Sequence, residues 1–144
     1  MSPHSLRELK KDMLRLYSTW KAQKYSYCPA FKGNVSFSSL GWNHIIGNKT
    51  KKRPPQDVYQ RLGVLPLAKI IIETSSTIQD IRFEYGIIFY SFDAVLNSNG
   101  TLKKVRVVLK EDKQGNKIFL SVISLKMNKR VPHALAHWHT HYVE

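Results

Sequence analysis

The chain has 144 residues, enough for one domain with a sizeable core that needs no disulfide or metal staple. Its 23 Lys and Arg against 10 Asp and Glu leave a formal charge of +13, which implies a polyanionic partner and puts nucleic acid first. One cysteine excludes an internal disulfide and a cysteine-rich zinc site, and no apolar run reaches the roughly eighteen residues that a membrane span requires.

The first segment reads as an amphipathic helix over residues 6 to 23. Ser5 and Glu8 form a capping-box pattern, Leu6, Leu9, Met13, Leu16, Tyr17 and Trp20 recur at helical spacing, and Arg7, Lys10, Lys11 and Arg15 mark a solvated face. This N-terminus has no apolar core of signal-peptide length, so it is read as part of the fold and the expected location is cytoplasmic; secretion as an effector by a signal-independent route stays open. A stretch rich in Pro, Gly, Asn and Ser follows, read as a loop with Cys28 as a small buried residue and one extended segment around Val35 to Phe37. Ser39 or Asn43 then caps a helical turn that carries His44. After the basic run Lys49, Lys51, Lys52 and Arg53, Pro54 and Pro55 open a second helix with Val58, Tyr59 and Leu62 on one face; Gly63 and Pro66 mark its expected end.

From residue 67 the period changes. LAKIIIET (67 to 74), YGIIFYSFDAVL (85 to 96), LKKVRVVLKED (102 to 112) and KIFLSVISL (117 to 125) are rich in β-branched and aromatic residues and read as strands. Asn97 to Gly100 and Asp112 to Asn116 supply turn chemistry, so the last three strands are expected to form an antiparallel meander. The expected architecture is α+β, with N-terminal helices packed on a roughly four-stranded antiparallel sheet. A single domain, 1 to 144, would comprise a helix and loop to residue 30, a core from 31 to 125 and a His-rich tail from 126 to 144.

Alternation places Lys104, Arg106, Val108 and Lys110 on one face of their strand and Val105, Val107 and Leu109 on the other. In the next strand Phe119 and Ser121 alternate with Ile118, Leu120 and Val122. A face presenting Arg, Ser and an aromatic ring can hold a phosphate and stack a base, as single-stranded RNA recognition requires; a half-buried sheet whose polar face merely meets water gives the same pattern. His44 matters through its neighbours, because imidazole suits proton transfer near neutrality and guanidinium groups hold the phosphate whose charge grows in the transition state. A lone histidine beside Ile45 and Ile46 is otherwise more often a packed residue. In the tail, His137, His139 and His141 share a face if extended, and His133, His137 and His141 if helical. Either set is a weak candidate for a Zn²⁺ site, and the segment reads equally as a surface tail or as the source of a partner for His44, with Trp138 as a stacking platform.

The ordered pieces GWNHIIGNKTKKR, DVYQRLGVLPLAKIIIETSST, IIFYSFDAVL and KKVRVVLKEDKQGNKIFLSVI, which lie within residues 31 to 123, resemble the barnase, EndoU, colicin and RelE-like superfamily of metal-independent ribonucleases, in particular its phage-associated and toxin members. The resemblance implies a four-stranded sheet whose concave face holds RNA. It implies His44 as general base or acid, Arg53 and Arg61 as phosphate binders, Thr74 or Ser75 as a positioning group at a strand end, and Ser121 bonded to the scissile phosphate. Arg106, placed by alternation, is a second phosphate contact, and Lys49 and Lys51 are interchangeable substrate binders. The chain departs from barnase in showing no obvious strand glutamate, Glu73 merely abutting Thr74. The expected activity is cleavage of RNA, tRNA included, by 2′-OH transesterification without metal or cofactor. The alternatives are a non-catalytic RNA- or DNA-binding module and a metal-binding protein built on the tail. An acidic antitoxin or immunity protein is the expected protein partner, and no membrane is expected.

Overall fold

In a computed structural model of the chain, residues 5–48, 50–98 and 100–127 are described, together with the backbone of 3–4 and 140–143. The first helix, α1 (Pro3–Gln23), lays Leu6, Leu9, Met13, Leu16, Tyr17 and Trp20 against the core and leaves Arg7, Lys10, Lys11 and Arg15 exposed, as its periodicity predicts. Strands β1 (Tyr25–Cys28) and β2 (Gly33–Ser36) then pair antiparallel. The first of these was expected to be loop. Its alternation is too short to register in sequence, yet it buries Ser26 and Cys28.

Two helices follow, α2 (Ser39–Ile46) and α3 (Pro55–Thr74). The side chain of Ser38, not of Ser39 or Asn43, caps α2 by accepting from Leu40 N at 3.3 Å. The largest correction concerns α3, which runs through Gly63 and Pro66 and takes in residues 67 to 74, expected as a strand. An internal proline costs about 3 kcal/mol or more. Against that, α3 buries Val58, Leu62, Val64, Leu65, Leu67, Ala68, Ile71 and Ile72, and each large apolar side chain contributes roughly 1.5–3 kcal/mol on full burial. Packing therefore outweighs both the proline and the β-propensity of Ile70, Ile71 and Ile72. Gly63 and Pro66 fall together on the exposed side, and Lys69 bonds Glu73 one turn on at 3.2 Å, a pairing that only a helix brings about.

The rest of the chain is sheet: β3 (Asp80–Glu84), β4 (Ile87–Ser98), β5 (Thr101–Glu111), β6 (Lys117–Leu125) and β7 (Thr140–Val143). The expected antiparallel meander is present as β4, β5 and β6, turning at Asn97–Gly100 and at Asp112–Asn116, where the Asp112 carboxylate accepts from the backbone of Gln114 and Asn116. The sheet is larger than the four strands expected, with the order β1-β2-β6-β5-β4-β3 and β7 also paired to β4. Nor is it wholly antiparallel, since β2 runs parallel to β6 and β7 parallel to β4. One face meets the helices through Phe92, Leu96, Val105, Val107, Leu109, Phe119 and Val122.

Two irregularities prepare the site. β2 pairs with β6 only at Lys117 and Ile118, so the edge of β6 beyond Ile118 is left to α2 and to the start of α3. Second, β6 carries a bulge: Val108 opposes Ser121 but Leu109 opposes Phe119, so Leu120 is an extra residue. Strict alternation put Phe119 and Ser121 on one face. The bulge separates them, sending Phe119 into an aromatic cluster with Tyr17 and Phe37 while Ser121 keeps the opposite side.

Helix α2 approaches that strand closely because residue 41 has no side chain. A Cβ on Gly41 would stand 2.6 Å from the Tyr17 hydroxyl and 2.8 Å from the Phe119 carbonyl. Gly41→Ala should therefore lower stability by about 1–3 kcal/mol through overpacking, read as a lower urea midpoint at unchanged slope.

Candidate active site

The loop between α2 and α3 is folded tightly. Gly47 closes α2 at φ 84°, and a Cβ there would lie 3.0 Å from both Arg53 N and Lys51 O. The Asn48 side chain accepts from Thr50 N at 3.0 Å and Lys51 N at 2.7 Å, fixing the path of the basic run. The result is that Arg53 returns onto α2: its Nε donates to the His44 carbonyl at 2.6 Å, and its Nη2 lies 3.3 Å from His44 Nδ1.

Asp57, in the first turn of α3, joins the two arginines. One oxygen accepts from Arg53 Nη1 and the other from Arg61 Nε, both at 3.1 Å. The guanidinium groups are nearly buried, with side-chain exposures of 10% and 12%. Burial pushes the Asp57 carboxyl up, but the hydrogen bonds and charges of Arg61 and Arg53 outweigh it and hold the group below the usual carboxylate range. From the other side of the guanidinium, Arg61 Nη1 donates to Ser121 Oγ at 2.6 Å, and it lies 3.5 Å from the carbonyl of Val122 on β6.

These groups form one wall of a cleft of about 410 Å³: His44, Lys51, Arg53 and Arg61, with Ser121 below. The floor continues over Val108 to Phe89 on β4, and Arg82 and Glu84 of β3 make the far wall. With Asp57, four fixed cations meet two carboxylates around a half-buried imidazole. Lys51 has no carboxylate partner among the described residues, and Arg53 and Arg61 share one, so the cleft has positive charge to spare for an anion. His44 responds to this surplus. Burial first, then the charges of Arg53, Lys51 and Arg61, lower its pKa from 6.5 to about 4, so the ring is neutral at pH 7. With Arg53 donating to Nδ1, that neutral ring carries its proton on Nε2.

His44, Arg53, Arg61, Lys51 and Ser121 thus converge, although they lie up to 77 positions apart in the chain. Other candidates do not join them. Thr74 and Ser75 stand at the C-terminal end of α3, not at a strand end, and their hydroxyls donate to the carbonyls of Ile70 and Ile71 one turn back. Arg106 does lie on the site face of the sheet, but its Nε and Nη2 donate to Asp93, at 2.8 and 3.0 Å, and it does not line the cleft. The alternation that placed Arg106 could not show that its cross-strand neighbour is an aspartate.

Lys49, Trp138, His133, His137 and His139 lie outside the described residues. For His141 only the backbone is described, opposite Leu96. Among the described residues no group of three or more potential metal ligands occurs.

Sequence reasoning missed Asp57, Arg82, Glu84 and Phe89. Asp57 had a signal: Arg53, Asp57 and Arg61 stand at spacing four, the period of paired charges on one helix face. The β3 residues had none, because that short strand was not expected.

The depressed pKa of His44 makes stability depend on pH. Between about pH 6.5 and 4 the unfolded chain binds a proton there that the folded chain refuses, so acidification through this range destabilises the fold. Thermal melts should show a larger loss of Tm from pH 7 to pH 4.5 for wild type than for His44→Gln, and the His44 ring should resist protonation at pH 6 by NMR.

Compared with known proteins, the chain matches no family model and no curated protein. Among solved structures, it is similar to a contact-dependent growth inhibition toxin–immunity protein complex from Klebsiella pneumoniae 342, over 63% of this chain and 93% of that one, at 11% identity and a TM-score of 0.44. That likeness is slight, and the character of the cleft stands on its own geometry.

Proposed function

We propose that the cleft binds a phosphodiester of RNA and cleaves it by attack of the ribose 2′-OH, in the manner of the barnase, EndoU, colicin and RelE-like superfamily. The observation that carries this reading is the convergence of His44, Lys51, Arg53, Arg61 and Ser121 in one cleft. A phosphate seated there takes charge-assisted hydrogen bonds from Arg53 Nη2, Arg61 and Lys51 and one from the Ser121 hydroxyl.

Binding and proton transfer are coupled in this mechanism. Burial is the first cause of the depressed His44 pKa; a bound phosphate offsets the second, the charges of Arg53, Lys51 and Arg61, and so moves that pKa upward. The same phosphate competes for Arg53 Nη2, while Nε and Nη1 stay anchored on the His44 carbonyl and Asp57, and so frees the Nδ1 lone pair to accept the 2′-OH proton. The 2′ oxygen attacks phosphorus, the developing charge falls on Arg53 and Arg61, and the bond to the 5′ oxygen breaks. That oxygen leaves on the opposite side of phosphorus and takes its proton from water. The products are a 2′,3′-cyclic phosphate and a 5′-hydroxyl. A protein partner of this face would be acidic, by charge complementarity.

His44→Ala should fold, retain binding to a non-cleavable RNA analogue and lose cleavage of bulk RNA in EDTA by about two orders of magnitude or more. Wild-type protein that leaves bulk RNA and tRNA intact, with and without divalent metals, overturns the reading; salt-dependent binding without product would make the chain a binding module instead.

A further inference from the structure

Phe89 is not explained by phosphate chemistry. It is a half-buried phenyl ring on the floor of a cleft whose walls are charged, and it faces the ligand space instead of the core. Its cross-strand neighbour on β3 is Arg82, whose guanidinium carbon lies 5.9 Å from the ring centroid. Arg82 is 50% exposed and is oriented by Glu84 at 3.1 Å and Asp80 at 3.7 Å. On the other side of Phe89 the cross-strand neighbour is Lys110, on the same face of the sheet and with no carboxylate partner among the described residues. Phe89 lies two strands across and two residues along from Ser121, about 12 Å between Cα atoms by standard strand spacing and rise. The ring and the phosphate wall are thus separated by the reach of a nucleotide and not by a hydrogen bond.

From this arrangement we propose that Phe89 and Arg82 form a nucleobase subsite beside the phosphate wall, so that the ligand of the cleft is single-stranded RNA with an unstacked base. The inference rests on the reading of the cleft as a phosphodiester site. The phenyl face takes the base by stacking, the Arg82 guanidinium adds a cation–π contact, and Lys110 meets the next phosphate along the strand. A duplex is excluded because its bases already cover one another's faces and cannot reach the cleft floor. The Glu84 carboxylate, which might otherwise read a base edge, is engaged by Arg82, so the subsite tolerates different bases.

The test uses the full chain and a fluorescent 2′-O-methyl hexanucleotide, which cannot be cleaved, with binding followed by anisotropy at fixed salt. Removing one internal base at a time, while keeping the backbone, should weaken binding about tenfold at one position, and a duplex of the same sequence should bind at least tenfold more weakly. Phe89→Leu, which keeps an apolar side chain but removes the ring, should lose the same factor, show no further loss with the abasic probe, and bind inorganic pyrophosphate as wild type does. Equal affinity for all the abasic probes, or for duplex and single strand, overturns the subsite, as does an unchanged Phe89→Leu. If base-dependent binding is found while natural RNA stays uncut, the nuclease reading fails and the subsite stands. Cleavage without base-dependent binding gives the reverse.

Discussion

The carboxylate of Asp57 is the contact on which the cleft depends. A guanidinium brought to about one-tenth exposure needs a counter-charge, and Arg53 and Arg61 both find it in the same group. Each arginine is thereby left with donors pointing elsewhere, Arg53 toward the His44 ring and Arg61 toward Ser121. One aspartate per arginine would have neutralised the site. One between two holds both rigid and keeps a net positive charge, which is the electrostatic condition for taking up an anion.

That shared ion pair works because three separate parts of the backbone deliver its members. Gly47 lets the loop fold back so that Arg53 reaches α2, the N-terminal turn of α3 places Asp57 where the helix dipole also favours a negative charge, and the lack of a strand partner beyond Ile118 among the described residues lets Arg61 approach β6 from its edge. The hydrophobic face of the sheet and the buried side of α3 supply the rigidity behind them. His44 is held by the same assembly, and its neutrality follows from its burial first and then from the neighbouring cations.

How much of this could be read from the sequence depended on the range of the interaction concerned. The α+β class, α1, the β4–β6 meander and its turns all rest on local periodicity, and each was legible. Residues 67 to 74 were not, because Ile70 to Ile72 favour a strand locally and only the burial of α3 against the sheet makes them helical. Of the residues expected beside a phosphate, Lys51, Arg53, Arg61 and Ser121 line the cleft, and Lys49 lies outside the described residues. Thr74 and Ser75 were lost with the strand they were meant to end, and Arg106 was lost to Asp93, a neighbour 13 positions away. Pairings across strands are decided by register, and register is the quantity that one sequence states least directly.

The bulge at Leu120 has a consequence for what β6 can tolerate. On one side of it Phe119 completes the aromatic core, and on the other Ser121 faces Arg61, so two halves of the strand are held in different phase by a single inserted residue. The length of this stretch is therefore constrained more tightly than its composition. A different side chain at residue 120 alters the lining of the cleft, whereas losing one residue there would turn either the serine inward or the phenylalanine outward, coupling the integrity of the core to that of the site through a count of residues.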